Sequence, residues 1–123
     1  MHTHIIEVTD GPAIIHYQPY VGGTFSRPIA SFKQNGVLLD VSSDTFVLIL
    51  EAAGVEAERL ELGSGIEFEG DGIRWTFTDA QTGGLTKDAN YTYILWWTRN
   101  DNGHVIPLQA GNIRPQKHTI TDL

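Results

Sequence analysis

The sequence predicts an all-β fold, and three observations carry that expectation. From Ile66 to Phe77 the apolar residues stand at every second position on both sides of a Gly70-Asp71-Gly72 turn: Ile66 and Phe68 alternate with Glu67 and Glu69, then Ile73, Trp75 and Phe77 alternate with Arg74 and Thr76. A period of two is that of a pleated strand with one dry and one wet face. The densest aromatic run follows at Tyr91 to Trp97, and the Asn100-Asp101-Asn102-Gly103 turn returns it as a strand from His104 to Ile113. Turn dipeptides recur at close spacing elsewhere, Asp10-Gly11 and Asn35-Gly36 among them, and these are the pairs that two-residue hairpins prefer. The stretch from Gly65 to Gln116 thus reads as a four-strand β-meander on which the rest of the chain packs.

The remaining elements follow in chain order. Residues 1–19 form an N-terminal strand or hairpin arm, in which Ile5-Ile6-Glu7-Val8 and Ala13 to Tyr17 are split by Thr9-Asp10-Gly11-Pro12. Residues 20–123 make the domain proper. Thr24 to Phe32 reads as a strand that Pro28 confines to an edge or a bulge, since proline donates nothing to a ladder. Asn35-Gly36 turns it into Val37-Leu38-Leu39. Thr45 to Leu50 is apolar at nearly every position, which predicts a strand buried on both sides or one whose outer face is covered by a neighbour, the second being favoured because a small sandwich has one interior. Gly54 to Glu58 offers at most a helical turn too short to stand alone. Arg59 to Leu62 resumes alternation, and Gly63-Ser64-Gly65 turns the chain. Thr78-Asp79 before Ala80-Gln81 has the form of a helix N-cap, and one helical turn is expected there. The sum is an immunoglobulin-like or Greek-key β-sandwich of about seven to nine strands.

Composition removes whole classes of function. A chain of 123 residues makes one domain around one core. No apolar run approaches the roughly 20 residues needed to cross a bilayer as a helix, and the opening residues have neither the basic nor the apolar region of a secretory signal. A protein made in the cytoplasm is expected. Without cysteine there are no disulfides, thiolate nucleophiles or cysteine-based zinc sites. The net charge of −7 is concentrated between Asp40 and Asp71, where nine acids stand with Arg59 as the single base, a surface that repels phosphate backbones and disfavours nucleic acid.

Catalytic and metal constellations are thin. None of the nucleophile-elbow, phosphate-loop or His-Glu-x-x-His patterns occurs. Glu67, Glu69 and Asp71 share one strand face and its turn, but glycosidase chemistry needs two carboxyls about 5 to 10 Å apart across a cleft. As a calcium site they supply too few fixed oxygens. His2 and His4 lie on one face of an extended strand, with His16 further on, and a zinc site needs three or four ordered ligands. No catalytic residue, metal or cofactor is expected.

The aromatic run supplies the candidate site. If Tyr91, Tyr93, Leu95 and Trp97 face the core, Ile94 and Trp96 face outward together, and an exposed apolar pair of this kind marks an interface or a ligand platform. Three expectations stay open for it: a subunit contact, a sugar-stacking surface, or cover by the N-terminal arm or a loop. Ile5, Ile6 and Val8 in that arm are further interface candidates, able to pair with a neighbour's sheet edge.

These features together resemble the small β-sandwich modules of tailed-bacteriophage and prophage structural proteins, including N-terminal domains of baseplate and receptor-binding assemblies. The resemblance rests on Asp71-Gly72 leading into Trp75, Gln81-Thr82 with Leu85, Tyr91-Thr92-Tyr93, Asn102-Gly103, and Leu108 with Gly111-Asn112-Ile113. Upstream, Gly22-Gly23-Thr24-Phe25, Asn35-Gly36 and Leu39-Asp40-Val41 extend it, so that it covers roughly residues 20–115. Leu39 to Ser43 departs by lacking the family's glycine. The resemblance implies a non-enzymatic virion component of tail or baseplate, made in a bacterial cytoplasm, with other virion subunits or further copies of itself as partners. A carbohydrate-binding module using exposed aromatics is the alternative.

Overall fold

The computed structural model describes residues 12–116 and the backbone of residues 5–7. Among these the chain is all-β and sandwich-like, with one short helix. The strands are β1 Ile5–Glu7, β2 Ala13–Ile14, β3 Phe25–Ile29, β4 Ser31–Gln34, β5 Val37–Leu38, β6 Thr45–Ala52, β7 Val55–Leu62, β8 Gly65–Glu69, β9 Gly72–Phe77, β10 Tyr91–Thr98 and β11 Val105–Ile113, with α1 at Asp79–Gly83. The count of eleven exceeds the expected seven to nine through very short pieces, β2 and β5 having two residues each.

Eight strands form one curled sheet in the order β2-β11-β10-β6-β7-β8-β9-β3, and β1-β4-β5 form a small second sheet. The curl has a local cause. At the end of β7 the chain steps sideways and runs on in the same direction, so that Glu61 and Leu62 pair in parallel with Gly65 and Ile66. Corners of this kind let a strand pass from one layer to the other. Gly65 makes this one possible, because its φ is +101° and a Cβ there would lie 2.5 Å from Leu60 Cδ2. The β2-to-β7 part then faces the β8-β9-β3 part across the core.

That core is built by alternation. Phe46, Leu48 and Leu50 of β6 and Tyr93, Leu95 and Trp97 of β10 meet Ile66, Ile73, Trp75, Phe77 and Ile29 from the other side, all buried. Phe32 of the small sheet closes one end, its ring 5.2 Å from Trp97 and 5.5 Å from Phe46. Tyr17 closes the other, edge-on to Phe25 and Trp75.

Several local expectations hold and several are corrected. Asn35 and Gly36 both have positive φ, as a type I′ hairpin turn requires. Thr78 caps α1 with a full capping box, its hydroxyl accepting from Gln81 N–H while the Gln81 side chain accepts from Thr78 N–H. The meander, however, is two separate hairpins: β8 pairs with β9, β10 pairs with β11, and β6 rather than β9 lies beside β10. The acidic run after Gly54 is strand β7, because pairing with β6 outweighs its weak helical propensity. The two N-terminal runs do not form a hairpin with each other either. β1 lies parallel to β4 in the small sheet, and β2 lies parallel to β11 in the large one.

Candidate interaction surface

Strand β10 alternates between two environments, and its register with β6 and β11 fixes what lies beside each outward residue. Ile94 is flanked by Ile49 and Ala110, and Trp96 by Val47 and Pro107. Ala110 is in turn beside Ile14 of β2, which is 64% exposed. Two apolar rows therefore cross the outer face, one running Ile14, Ala110, Ile94, Ile49 and the other Pro107, Trp96, Val47. Thr45 and Thr98 bound them at one end, and Thr92, Asn112 and Glu51 at the other. Ile94, Trp96, Val47 and Ile49 are each half-buried and share the outer face, opposite the buried Phe46, Leu48, Leu95 and Trp97.

Local irregularity helps to shape this face. A β-bulge between Leu95 and Trp96 puts both Leu108 and Gln109 into the core and leaves Pro107 directly opposite Trp96. On the β7 side the border is charged. Glu61 stands beside Val47, and Arg59 beside Ile49, with the Arg59 guanidinium drawn to Glu56 at 2.8 Å. That hydrogen bond holds the Glu56 carboxyl below the usual carboxylate range.

Ile94 and Trp96 thus sit side by side, whereas the side chains of Ile5 and Ile6, and the whole of Val8, lie outside the described residues. Val47, Ile49, Pro107 and Ala110 escaped prediction as members of the same surface. The continuous apolar run of β6 was their signal, but its adjacency to β10 is a long-range pairing that local pattern does not reveal.

Of the other candidate groups, Glu69 and His16 take structural roles, and His2 and His4 lie outside the described residues. The Glu69 carboxylate accepts from Arg74 Nε at 2.7 Å, which holds its carboxyl low, the opposite of what a general acid requires. His16 Nδ1 accepts from Asn112 N–H at 2.9 Å. Among the described residues no three His, Asp or Glu side chains converge as metal ligands, and no helix is long and apolar enough to cross a membrane.

Two buried polar networks are saturated by the protein itself. The Tyr93 hydroxyl donates to the Ile15 carbonyl at 2.8 Å, while Gln109 Nε2 donates to the Tyr17 and Tyr93 hydroxyls at 2.8 and 2.9 Å. Burial pushes both tyrosine hydroxyls upward, so they stay neutral. Asp44 accepts from Trp97 Nε1 at 2.8 Å and from Asn100 N–H at 2.9 Å, tying its loop to the end of β10. These networks order the core. No protein-family model matches the chain, and no curated protein matches it significantly.

Proposed function

We propose that the chain is a non-enzymatic interaction module that takes its place in an assembly through the outer face of β6, β10 and β11. The supporting observation is the apolar band centred on Trp96, which lies where a solvated sheet face ordinarily carries polar residues. Aromatic anchors in an apolar patch are the residues that dominate protein association energies.

Features of the sheet edges favour face packing over strand addition. Edge strand β3 carries Pro28, and Pro107 stands in the part of β11 that β2 does not reach. Proline at an edge blocks a partner strand. Strand exchange by the N-terminal arm is likewise disfavoured, since β1 is engaged with the chain's own β4. Sugar stacking would need hydrogen-bonding groups around the ring, and the cross-strand neighbours of Trp96 are Val47 and Pro107.

The setting we propose, a tail or baseplate component of a phage or prophage particle, rests on the sequence resemblance alone. It is tested by inducing prophages in the source organism, banding intact particles on a density gradient and measuring this chain's peptides. Stoichiometric co-purification supports the proposal, and abundant particles without the chain refute it.

A further inference from the structure

A second surface lies at the end of the sandwich, on different elements from the Trp96 band. There the loop after β5 and the β8–β9 turn enclose an open groove of about 360 Å³. That volume is within the range of sites that hold small ligands or side chains. Its floor is an uncovered piece of the core. Phe68 follows Ile66 on the inward face and pairs with the buried Ile73, yet it is 44% exposed because the sandwich stops beside it. Its ring meets Phe46 edge-on at 6.2 Å, and Phe46 lies parallel to Trp97, so the groove opens directly onto the aromatic core. Leu38 of β5, 49% exposed, forms the opposite wall.

The rim is charged with one sign. Asp40 and Asp71 stand on it from two separate loops, and among the described residues neither lysine nor arginine lines it. Asp40 accepts a hydrogen bond from Ser42 N–H at 3.0 Å, and its bonding to Ser42 holds the carboxyl below the usual range. The turn bearing Asp71 is seated against the backbone of Ile29 and Ala30, where Gly72 permits an approach that any Cβ would block.

An apolar floor between two carboxylates complements a group that is both greasy and cationic. We propose that this groove docks a peptide segment of a partner protein in which a large apolar residue stands beside lysine or arginine. The apolar side chain covers Phe68 and Leu38, and the base lies between Asp40 and Asp71.

The test is a titration of the isotope-labelled full chain with the blocked pentapeptide Gly-Lys-Phe-Lys-Gly, followed by amide NMR. The amides of Ser42, Gly70, Asp71 and Gly72 are expected to shift together and saturate with a dissociation constant of about 0.1–1 mM. The glutamate counterpart, Gly-Glu-Phe-Glu-Gly, is expected not to bind. The Asp40→Asn/Asp71→Asn double variant should weaken the lysine peptide about tenfold and flatten its salt dependence. Phe68→Ser tests the apolar half at an exposed side chain and should remove binding while leaving the circular dichroism spectrum intact. No shift at about 5 mM peptide, equal binding of the two peptides, undiminished binding by either variant, or shifts centred on Val47 and Trp96 would each overturn the proposal.

Discussion

Trp96 and Trp97 are adjacent on one strand and belong to different worlds. Trp97 is fully buried, stacked parallel to Phe46, with its indole N–H donated to Asp44. Trp96 points to the opposite side of the sheet, half-buried, with Val47 and Pro107 as its cross-strand neighbours. Strand geometry enforces the division, since successive side chains leave a pleated backbone on opposite faces. The inner ring is therefore explained by folding and the outer ring is not. On the function proposed above, a partner covers the apolar face on which this large side chain stands.

The comparison breaks most readily at the inner ring. Trp97→Ala should cost about 3–5 kcal/mol, from lost packing and from an Asp44 carboxylate left short of a donor, measured by urea unfolding followed by circular dichroism. A loss under about 1 kcal/mol would mean that the two rings are not energetically distinct.

The core's tightness can be sharpened at the backbone. A Cβ on Gly72 would lie 1.7 Å from the Ile29 carbonyl oxygen, so Gly72→Ala must push β9 and β3 apart. We expect a loss of roughly 1–3 kcal/mol in the same unfolding experiment. The outer ring should behave differently: Trp96→Ala is expected to change unfolding free energy by less than about 1 kcal/mol while weakening association by about 2 kcal/mol or more.

The smallest effect has the opposite sign. Ala53 adopts φ +53° ahead of Gly54 at φ +79°, a turn that asparagine accommodates better than alanine. Ala53→Asn, far from either tryptophan, should raise stability by roughly 0.5–1 kcal/mol, read as an upward shift in melting temperature.

Local pattern carried the reading of individual strands well, and long-range pairing limited it. Alternation correctly sorted Tyr91, Tyr93, Leu95 and Trp97 to the core, and the Thr78 cap and the Asn35-Gly36 turn follow from backbone chemistry within four residues. The β6–β7 turn is hidden in the sequence because Ala53-Gly54 lacks the asparagine or aspartate that marks such turns. At the β7–β8 corner Gly63-Ser64-Gly65 signals a change of direction without saying which, so the sequence suggests an ordinary turn where the structure has a parallel step. The outer band was only half legible: Ile94 and Trp96 are local to one strand, but Val47 and Ile49 join them through a pairing some 45 residues away in sequence. The groove was invisible for a similar reason, as nothing in Phe68's alternation says that the sandwich ends beside it.

Most directly, the outer face can be tested by placing a photo-cross-linking amino acid at position 96 of the full chain, expressed in its native host, with position 67 as an exposed control on β8. Irradiation should yield a discrete higher-mass adduct from position 96 and none from position 67. Free chain alone at position 96, under conditions where the protein is abundant, would contradict the claim that this face is an interaction surface.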